Sequence, residues 1–291
     1  MLEKFKGVFP ALLTPFDKND NINEAALEQL IEMNLQKGVK GFYVGGSTAE
    51  VYLLSDEERK YIYKLVKDIV NDRCTLIAHI GCISTRQTIG YGQFVEELGY
   101  DAVSSVAPFY YKFTFEEIKK HYFSIVENVS LPMIVYNFPS FSGVNLTVNN
   151  LSEFLKDDRF IGIKHTSNDY FAMEQFKTAF SDKVIYNGFD EMFLAGLSMG
   201  ADGGIGSTFN FMAEKFIKIQ KLFTDGKYEK AYKIQQDANK IISALVKVGV
   251  FQGEKAVLNM LGIDFEDVRA PFEKLSKENY KNLEKTVLPL L

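Results

Sequence analysis

The chain has 291 residues, of which 46% are hydrophobic and 24% are charged, and its formal net charge at pH 7 is −5. This length and apolar content allow one large core, while the negative charge leaves no basic surface to bind a phosphate backbone, so we expect one domain and no nucleic-acid partner. No apolar run approaches the ~20 residues that span a bilayer, and residues 1–6 lack a signal-peptide core, so we expect a cytoplasmic protein without a membrane partner.

Short apolar runs rich in Val, Ile and aromatic residues alternate with longer helical stretches, a pattern typical of parallel strands joined by crossover helices. The runs are almost continuously apolar, which indicates burial on both faces, and the first six recur at roughly the ~30-residue spacing of a βα unit. We place the strands at Gly7–Leu13, Gly41–Gly45, Thr75–Ile80, Ala102–Val106, Pro132–Tyr136, Phe160–Lys164, Val184–Tyr186 and Gly203–Gly206. Eight units predict an α/β fold, a closed (β/α)8 TIM barrel, with an open doubly wound sheet as the alternative.

Capping signals mark several of the connecting helices. A Ser or Thr followed three residues later by Glu or Gln satisfies backbone donors at a helix start, and Gly suits a left-handed residue at its end. Start signals occur at Ser55…Glu58, Ser84…Gln87 and Thr114…Glu117, and Gly38 and Gly99 are end signals.

Beyond the eighth strand the pattern is helical only. The helices are predicted at Asn210–Thr224, Tyr228–Val248, Gly253–Leu261 and Ser276–Leu288. We interpret the first as the last barrel helix. With no linker or composition shift, the chain is predicted to form one domain (1–291), with a barrel at 1–225 and a C-terminal helical extension at 226–291.

Lys164 directly follows the apolar run of the sixth strand, at the strand end where barrels of this kind build their active sites. Burial disfavours the ammonium form, so such a lysine becomes a nucleophilic amine near neutral pH and can attack carbonyl groups. The alternative is a lysine that reaches solvent or pairs with a carboxylate.

Tyr136 ends the fifth strand and could face the same cavity as Lys164. Schiff-base chemistry needs a proton shuttle, and a phenol beside the amine could serve as one. The alternative is an ordinary aromatic core residue, the commoner fate of a tyrosine in an apolar strand.

Three further strand ends carry polar loops. The second strand ends in Gly45–Glu50, where Ser47, Thr48 and exposed N–H groups could hold a carboxylate or a phosphate. The seventh and eighth end in Asn187–Glu191 and Gly203–Thr208, whose carboxylates and hydroxyls would suit a ligand with several hydroxyl groups. The alternative for each loop, taken alone, is an ordinary strand-to-helix turn or acidic first turn of a helix.

No metal site or cofactor is predicted. The three histidines, His79, His121 and His165, lie on different elements without ligand spacing, and the two cysteines have no nearby histidine. His165 follows Lys164, but strand alternation would point it away from the lysine's side of the strand.

Taken together, these segments resemble the N-acetylneuraminate lyase and dihydrodipicolinate synthase superfamily of pyruvate-dependent class I aldolases. The matching motifs occur in family order along nearly the whole chain. They are residues 45–48 (GGST), 107–111 (APFYY), 136–139 (YNFP), 162–167 (GIKHTS), 187–191 (NGFDE) and 200–208 (GADGGIGST).

The resemblance implies a role for each matching residue. Lys164 would be the Schiff-base nucleophile, Tyr136 the proton shuttle, and Tyr110 a helper in the proton relay, which in the synthases comes from a neighbouring subunit. The implied substrate-binding residues are Ser47, Thr48, Thr166, Gly188, Asp190, Glu191 and Ser207. One departure is Ala49, which stands where the family usually has glycine and could narrow the loop's permitted φ values.

Within the superfamily, the chain is most similar to the sialic acid lyases, which cleave N-acetylneuraminate reversibly to N-acetylmannosamine and pyruvate. Phe141 occupies the position where the synthases carry an arginine for a substrate carboxylate. The resemblance also implies a homotetramer and no cofactor. The alternatives are a dihydrodipicolinate synthase or another pyruvate-dependent keto-sugar-acid aldolase, and a noncatalytic barrel that binds sugar acids.

Overall fold

Eight parallel strands form the centre of the molecule, whose computed structural model describes residues 2–291. They are β1 (Gly7–Pro10), β2 (Gly41–Val44), β3 (Thr75–His79), β4 (Ala102–Val106), β5 (Met133–Asn137), β6 (Phe160–His165), β7 (Val184–Asn187) and β8 (Gly203–Gly206). Every strand residue is buried, as the continuous apolar runs predicted. All eight lie where the sequence placed them, with ends that differ by a few residues.

The sheet closes on itself through β1. Gly7 pairs with Gly203 of β8, whereas after Pro10 the chain turns to β2, where Ala11 bridges Tyr43. The next N–H, that of Leu12, donates to the Tyr43 carbonyl at 2.9 Å. The predicted barrel is therefore confirmed and the open doubly wound sheet is wrong, because β1 has a partner on both sides. This change of partner also explains why β1 ends before the predicted Leu13.

Helices connect the strands on the outside of the barrel. They are α1 (Glu24–Lys37), α2 (Asp56–Val70), α3 (Thr85–Glu97), α4 (Phe115–Asn128), α5 (Pro139–Ser142), α6 (Val148–Leu155), α7 (Tyr170–Ala179), α8 (Phe193–Ser198) and α9 (Phe209–Thr224). Ser55 and Thr114 form the predicted capping boxes at α2 and α4. Gly38 ends α1 in the left-handed conformation at φ 85°, as its position predicted.

Three helices follow the barrel helix α9: α10 (Tyr228–Val248), α11 (Val250–Met260) and α12 (Lys277–Val287). Helix α11 begins at Val250, before the predicted start at Gly253, and this glycine lies inside the helix at a close helix contact. A Cβ atom on Gly253 would lie 2.7 Å from Leu245 Cδ2. Within residues 2–291, no helix combines the length and apolarity needed to cross a membrane.

Two groups of buried apolar side chains make up the core. The larger lies between the strands and the helices, and the smaller fills the inside of the barrel. The inner group contains Tyr43, Tyr136 and Tyr186, which lie on β2, β5 and β7. Lys164 of β6 pairs in register with two of these tyrosines, Tyr136 and Tyr186, so it lies among aromatic residues.

The β1–β8 seam depends on the missing side chain of Gly203. A Cβ atom there would lie 2.0 Å from the Gly7 carbonyl oxygen, and neither backbone can move without breaking the ring. We predict that Gly203→Ala lowers the free energy of unfolding by about 1–3 kcal/mol, the usual cost of overpacking a core.

Urea unfolding at one fixed protein concentration measures this effect. Gly90→Ala is the matched control, because Gly90 lies in α3 with open space around its Cα and should gain up to ~1 kcal/mol from helix propensity. Equal stability losses in the two variants would contradict the account of the seam.

Candidate active site

The Lys164 side chain points into the barrel and is only 5% exposed. Its Nζ lies 4.3 Å from the centre of the Tyr43 ring and 4.1 Å from that of Tyr136. Within residues 2–291, no carboxylate is close enough to form an ion pair with this nitrogen. Burial lowers the pKa of Lys164 to about 7, although the negative charge of Asp190 opposes the shift. A large fraction of the amine is therefore uncharged at neutral pH, and the alternative of a solvent-exposed or ion-paired lysine is excluded.

Tyr136 stands beside Lys164 because β5 and β6 pair in register at these two residues. The phenol ring is buried, meets the rings of Tyr43 and His79 edge-on, and stacks on Phe138 at a centroid distance of 5.6 Å. Burial raises the pKa of Tyr136, so its hydroxyl keeps its proton at neutral pH. An uncharged amine and a protonated phenol thus share one wall of the barrel interior.

The loop after β2 forms a tight turn at the top of the barrel. Gly45 has φ 74°, and Ser47–Ala49 make a short 3-10 helix that places Ser47 and Thr48 on the cavity wall. Ala49 is not among the residues with positive φ; the left-handed residue is Glu50, at φ 54°. The alanine that departs from the family pattern is therefore accommodated without backbone strain.

His79 supports the start of this loop, a role the sequence analysis did not find. Its Nδ1 lies 3.0 Å from the Gly45 carbonyl oxygen, and its Nε2 accepts the Val106 N–H at 3.4 Å. These partners place the ring proton on Nδ1, and burial lowers the pKa of His79 so that the ring stays neutral. In contrast, His165 lies against Phe176 of α7, on the outer face, as strand alternation predicted.

The cavity wall also carries a buried carboxylate, that of Asp190. The Asp190 side chain accepts the Thr208 N–H at 2.8 Å and the Thr208 hydroxyl at 2.6 Å, and burial raises the pKa of Asp190 to about 6. Two glycines leave room for the polar groups here. A Cβ atom on Gly206 would lie 2.0 Å from Asp190 Oδ1, and one on Gly188 would lie 1.9 Å from Thr166 Oγ1.

The C-terminal helices hold this side of the cavity in place. On α10, the Gln235 side chain donates to the Asp190 carbonyl and the Asn239 side chain donates to the Glu191 carbonyl, each at 3.0 Å. The Gln235 side-chain oxygen also accepts the Leu194 N–H at 3.0 Å. Neither amide was predicted from the sequence, although polar residues four apart on one face of an amphipathic helix are a signal that could have indicated them.

These groups surround one cavity of about 310 Å³. Of the ten predicted site residues, nine line it: Ser47, Thr48, Tyr136, Lys164, Thr166, Gly188, Asp190, Glu191 and Ser207. Apolar side chains of the C-terminal extension also line it, namely Ile242, Val246, Val250 and Phe251. The tenth predicted site residue, Tyr110, does not line the cavity of its own chain. It is 83% exposed and has φ 76°.

The arrangement can bind and activate a carbonyl compound. The amine of Lys164 can add to a ketone, the Tyr136 phenol can transfer protons, and the Ser47–Thr48 turn presents hydroxyls to the cavity. Asp190 and Glu191 also line the cavity, and their carboxylates can accept hydrogen bonds from hydroxyl groups.

Comparisons with known proteins agree with this geometry. The model of the dihydrodipicolinate synthetase family matches residues 4–289. The chain is 40% identical over 288 residues to the N-acetylneuraminate lyase of Rhizobium meliloti (strain 1021), covering 99% of this chain and 96% of that relative.

Solved structures also resemble this chain over nearly its whole length. A protein from Clostridium difficile, crystallised with mannosamine, superposes with a TM-score of 0.96 at 36% identity, covering 98% of this chain and 99% of that one. The N-acetylneuraminate lyase of Fusobacterium nucleatum, crystallised with pyruvate, gives 0.93 at 37% identity, covering 98% of each chain. The resemblance found in the sequence is confirmed: the chain belongs to the dihydrodipicolinate synthetase family.

Proposed function

We propose that this protein is a Schiff-base aldolase that reversibly cleaves N-acetylneuraminate to N-acetylmannosamine and pyruvate. The observation that carries the proposal is the buried amine of Lys164, whose pKa burial lowers to about 7, beside the phenol of Tyr136. Support for the substrate comes from the relatives, which include named N-acetylneuraminate lyases and solved structures holding pyruvate or mannosamine.

The reaction begins when the neutral Lys164 amine adds to the C2 ketone of the open-chain sugar acid. Loss of water gives an iminium ion, which accepts the electron pair released when the C3–C4 bond breaks. The Tyr136 hydroxyl gives its proton to the departing water as the iminium ion forms, and the phenolate that remains accepts the proton of the C4 hydroxyl as the aldehyde sugar forms. The enamine that remains is protonated at C3 and hydrolysed, which releases pyruvate and restores the amine.

Two sets of cavity residues bind the two parts of the substrate. Ser47 and Thr48 bind the carboxylate of the pyruvate unit, because their turn presents hydroxyl groups beside Lys164. The hydroxyl chain of the sugar is bound by Thr166, Gly188, Asp190, Glu191 and Ser207. The ionised Asp190 carboxylate accepts hydrogen bonds from substrate hydroxyls that a neutral side chain would bind less strongly.

A dihydrodipicolinate synthase is the alternative with the same scaffold. Phe141 argues against it, because its ring packs with those of Phe109, Phe138 and Tyr52 at centroid distances of 5.1, 5.7 and 5.8 Å. This aromatic cluster offers no cation for a second substrate carboxylate. Turnover of N-acetylneuraminate, compared with that of aspartate semialdehyde plus pyruvate, separates the two enzymes, and preference for the latter pair would refute the proposal.

We also propose a cytoplasmic homotetramer in which Tyr110 reaches the site of a neighbouring subunit. Its exposure, and the edge-on contact with the exposed Tyr111 ring at 5.0 Å, support a role in a subunit contact. Within each subunit, residues 1–225 and 226–291 act as one domain, because Gln235 and Asn239 of the extension bind the barrel loop that carries the site.

Lys164 should be the single residue that reacts with pyruvate. Borohydride added with pyruvate should attach one reduced pyruvate to the wild-type protein, located on Lys164 by peptide mass spectrometry. Lys164→Ala should abolish the label, whereas Lys18→Ala, at an exposed lysine, should keep it. Equal labelling of Lys164→Ala and wild type would refute the assignment of the nucleophile.

Tyr136→Phe should keep the ring packing and lose the proton shuttle. We expect kcat for N-acetylneuraminate to fall by about 10²–10⁴-fold, the usual contribution of general acid–base catalysis, with little change in KM. Steady-state pyruvate release measures both constants. An unchanged kcat would remove Tyr136 from the chemistry.

The pH dependence of kcat/KM should follow the Lys164 amine. Because burial lowers the pKa of Lys164 to about 7, the reactive neutral form increases as pH rises through that value, and the rate should rise with it. Asp190→Asn removes a charge that raises this pKa, so the midpoint should move to lower pH, whereas Asp182→Asn, at an exposed aspartate, should leave it unchanged. A midpoint near the ordinary lysine pKa of ~10.4 would contradict the burial argument.

A further inference from the structure

Glu50 ends the turn that carries Ser47 and Thr48. Its N–H donates to the Ser47 carbonyl at 3.0 Å, and its own backbone adopts the left-handed conformation, φ 54°. A glutamate gains nothing from this conformation, which costs free energy in any residue with a side chain. Contacts elsewhere must therefore hold Glu50 in place.

The Glu50 side chain forms a fully buried ion pair with Lys255. The Lys255 Nζ lies 2.5 Å from Glu50 Oε1, and both side chains are 0% exposed. The second carboxylate oxygen accepts the Arg269 N–H at 2.8 Å. Both groups that hold this carboxylate belong to the C-terminal extension, which lies about two hundred residues further along the chain.

Lys255 is itself fixed on several sides. Its Nζ donates to the Asp267 carbonyl at 2.9 Å and lies 4.2 Å from the centre of the Phe16 ring. Burial lowers the pKa of Lys255, and the Glu50 carboxylate opposes the shift. The lysine lies on α11, the helix whose first turn supplies Val250 and Phe251 to the cavity lining.

A buried ion pair is a poor source of net stability, because desolvation offsets the attraction between the charges. What it does provide is a fixed geometry, since moving either group would leave a buried charge without its partner. In this protein the fixed residue is Glu50, which lies two positions after Thr48. The pair therefore controls the orientation of the turn that faces the Lys164 amine.

We propose that Lys255 and Glu50 are positioning residues through which the C-terminal extension sets the site's affinity for the carboxylate of the keto acid. The inference rests on the proposed function, in which Ser47 and Thr48 bind that carboxylate. Neither residue contacts the substrate, and both act through the backbone of residues 47–50.

The test compares two ketones in borohydride trapping on Lys164. Pyruvate carries the carboxylate, whereas methyl pyruvate has the same ketone without the negative charge. Lys255→Met should raise the half-saturating concentration of pyruvate by about 10- to 100-fold, the scale of loss for a misplacement of ~1 Å, and leave that of methyl pyruvate unchanged. Loss of folded protein alone would lower the amount of label with both ketones without moving either half-saturating concentration.

Lys177→Met is the matched control. Lys177 forms a partly buried ion pair with Asp202 at 2.8 Å, next to Gly203 at the start of β8 and away from the cavity, so its loss should change neither concentration. If Lys255→Met does not fold, the double variant Glu50→Gln/Lys255→Met leaves neither member of the pair as an unpartnered buried charge and should show the same selective loss.

A folded single or double variant that binds pyruvate as the wild type does would overturn the inference. Trapping of pyruvate by the wild-type protein tests the proposed function separately. The inference depends only on the ratio of the half-saturating pyruvate concentrations of the variant and the wild type.

Discussion

The chemistry of this protein depends on keeping one amine away from water. Lys164 lies inside a closed ring of strands, with its amine over two tyrosine rings. Within residues 2–291, no carboxylate forms an ion pair with this amine. Desolvation is therefore the dominant influence on its protonation. An open sheet would admit solvent to this position, so closure through β1 is a requirement of the site and not only of the fold.

The closed barrel would still be an incomplete site without the C-terminal extension. The extension supplies apolar lining of the cavity, binds the carbonyls of Asp190 and Glu191 through α10, and holds Glu50 through α11 and Arg269. One segment of the chain therefore holds both the loop after β2 and the loop after β7. This arrangement places rigid support behind loops, which would otherwise be the most mobile parts of a barrel.

The sequence predicted the features that arise from local patterns. Apolar runs identified eight strands, and the position of Lys164 and Tyr136 at neighbouring strand ends was enough to place them in one cavity, because parallel strands end at the same edge. The motifs that carry the family resemblance added the hydroxyl and carboxylate loops. Nine of the ten predicted site residues line the cavity for this reason.

What could not be predicted depends on contacts between distant segments. Nothing local to His79 indicates that its ring binds the Gly45 carbonyl, and nothing near Lys255 indicates a partner at Glu50. Alternation along a strand tells which face a side chain takes, but not which ring it meets across the barrel, so Tyr43 was missed as a neighbour of Lys164. Tyr110 was predicted as a site residue, but in a single chain it is exposed and does not line the cavity.

The most direct test of this account is an NMR titration of the Lys164 side chain in protein labelled with 13C at the lysine ε-carbon. The resonance is assigned as the one that Lys164→Ala removes. The account predicts that it titrates with a pKa near 7 while the exposed lysines titrate near their ordinary value of ~10.4. Titration of Lys164 together with the exposed lysines would contradict the claim that burial keeps its amine ready to react.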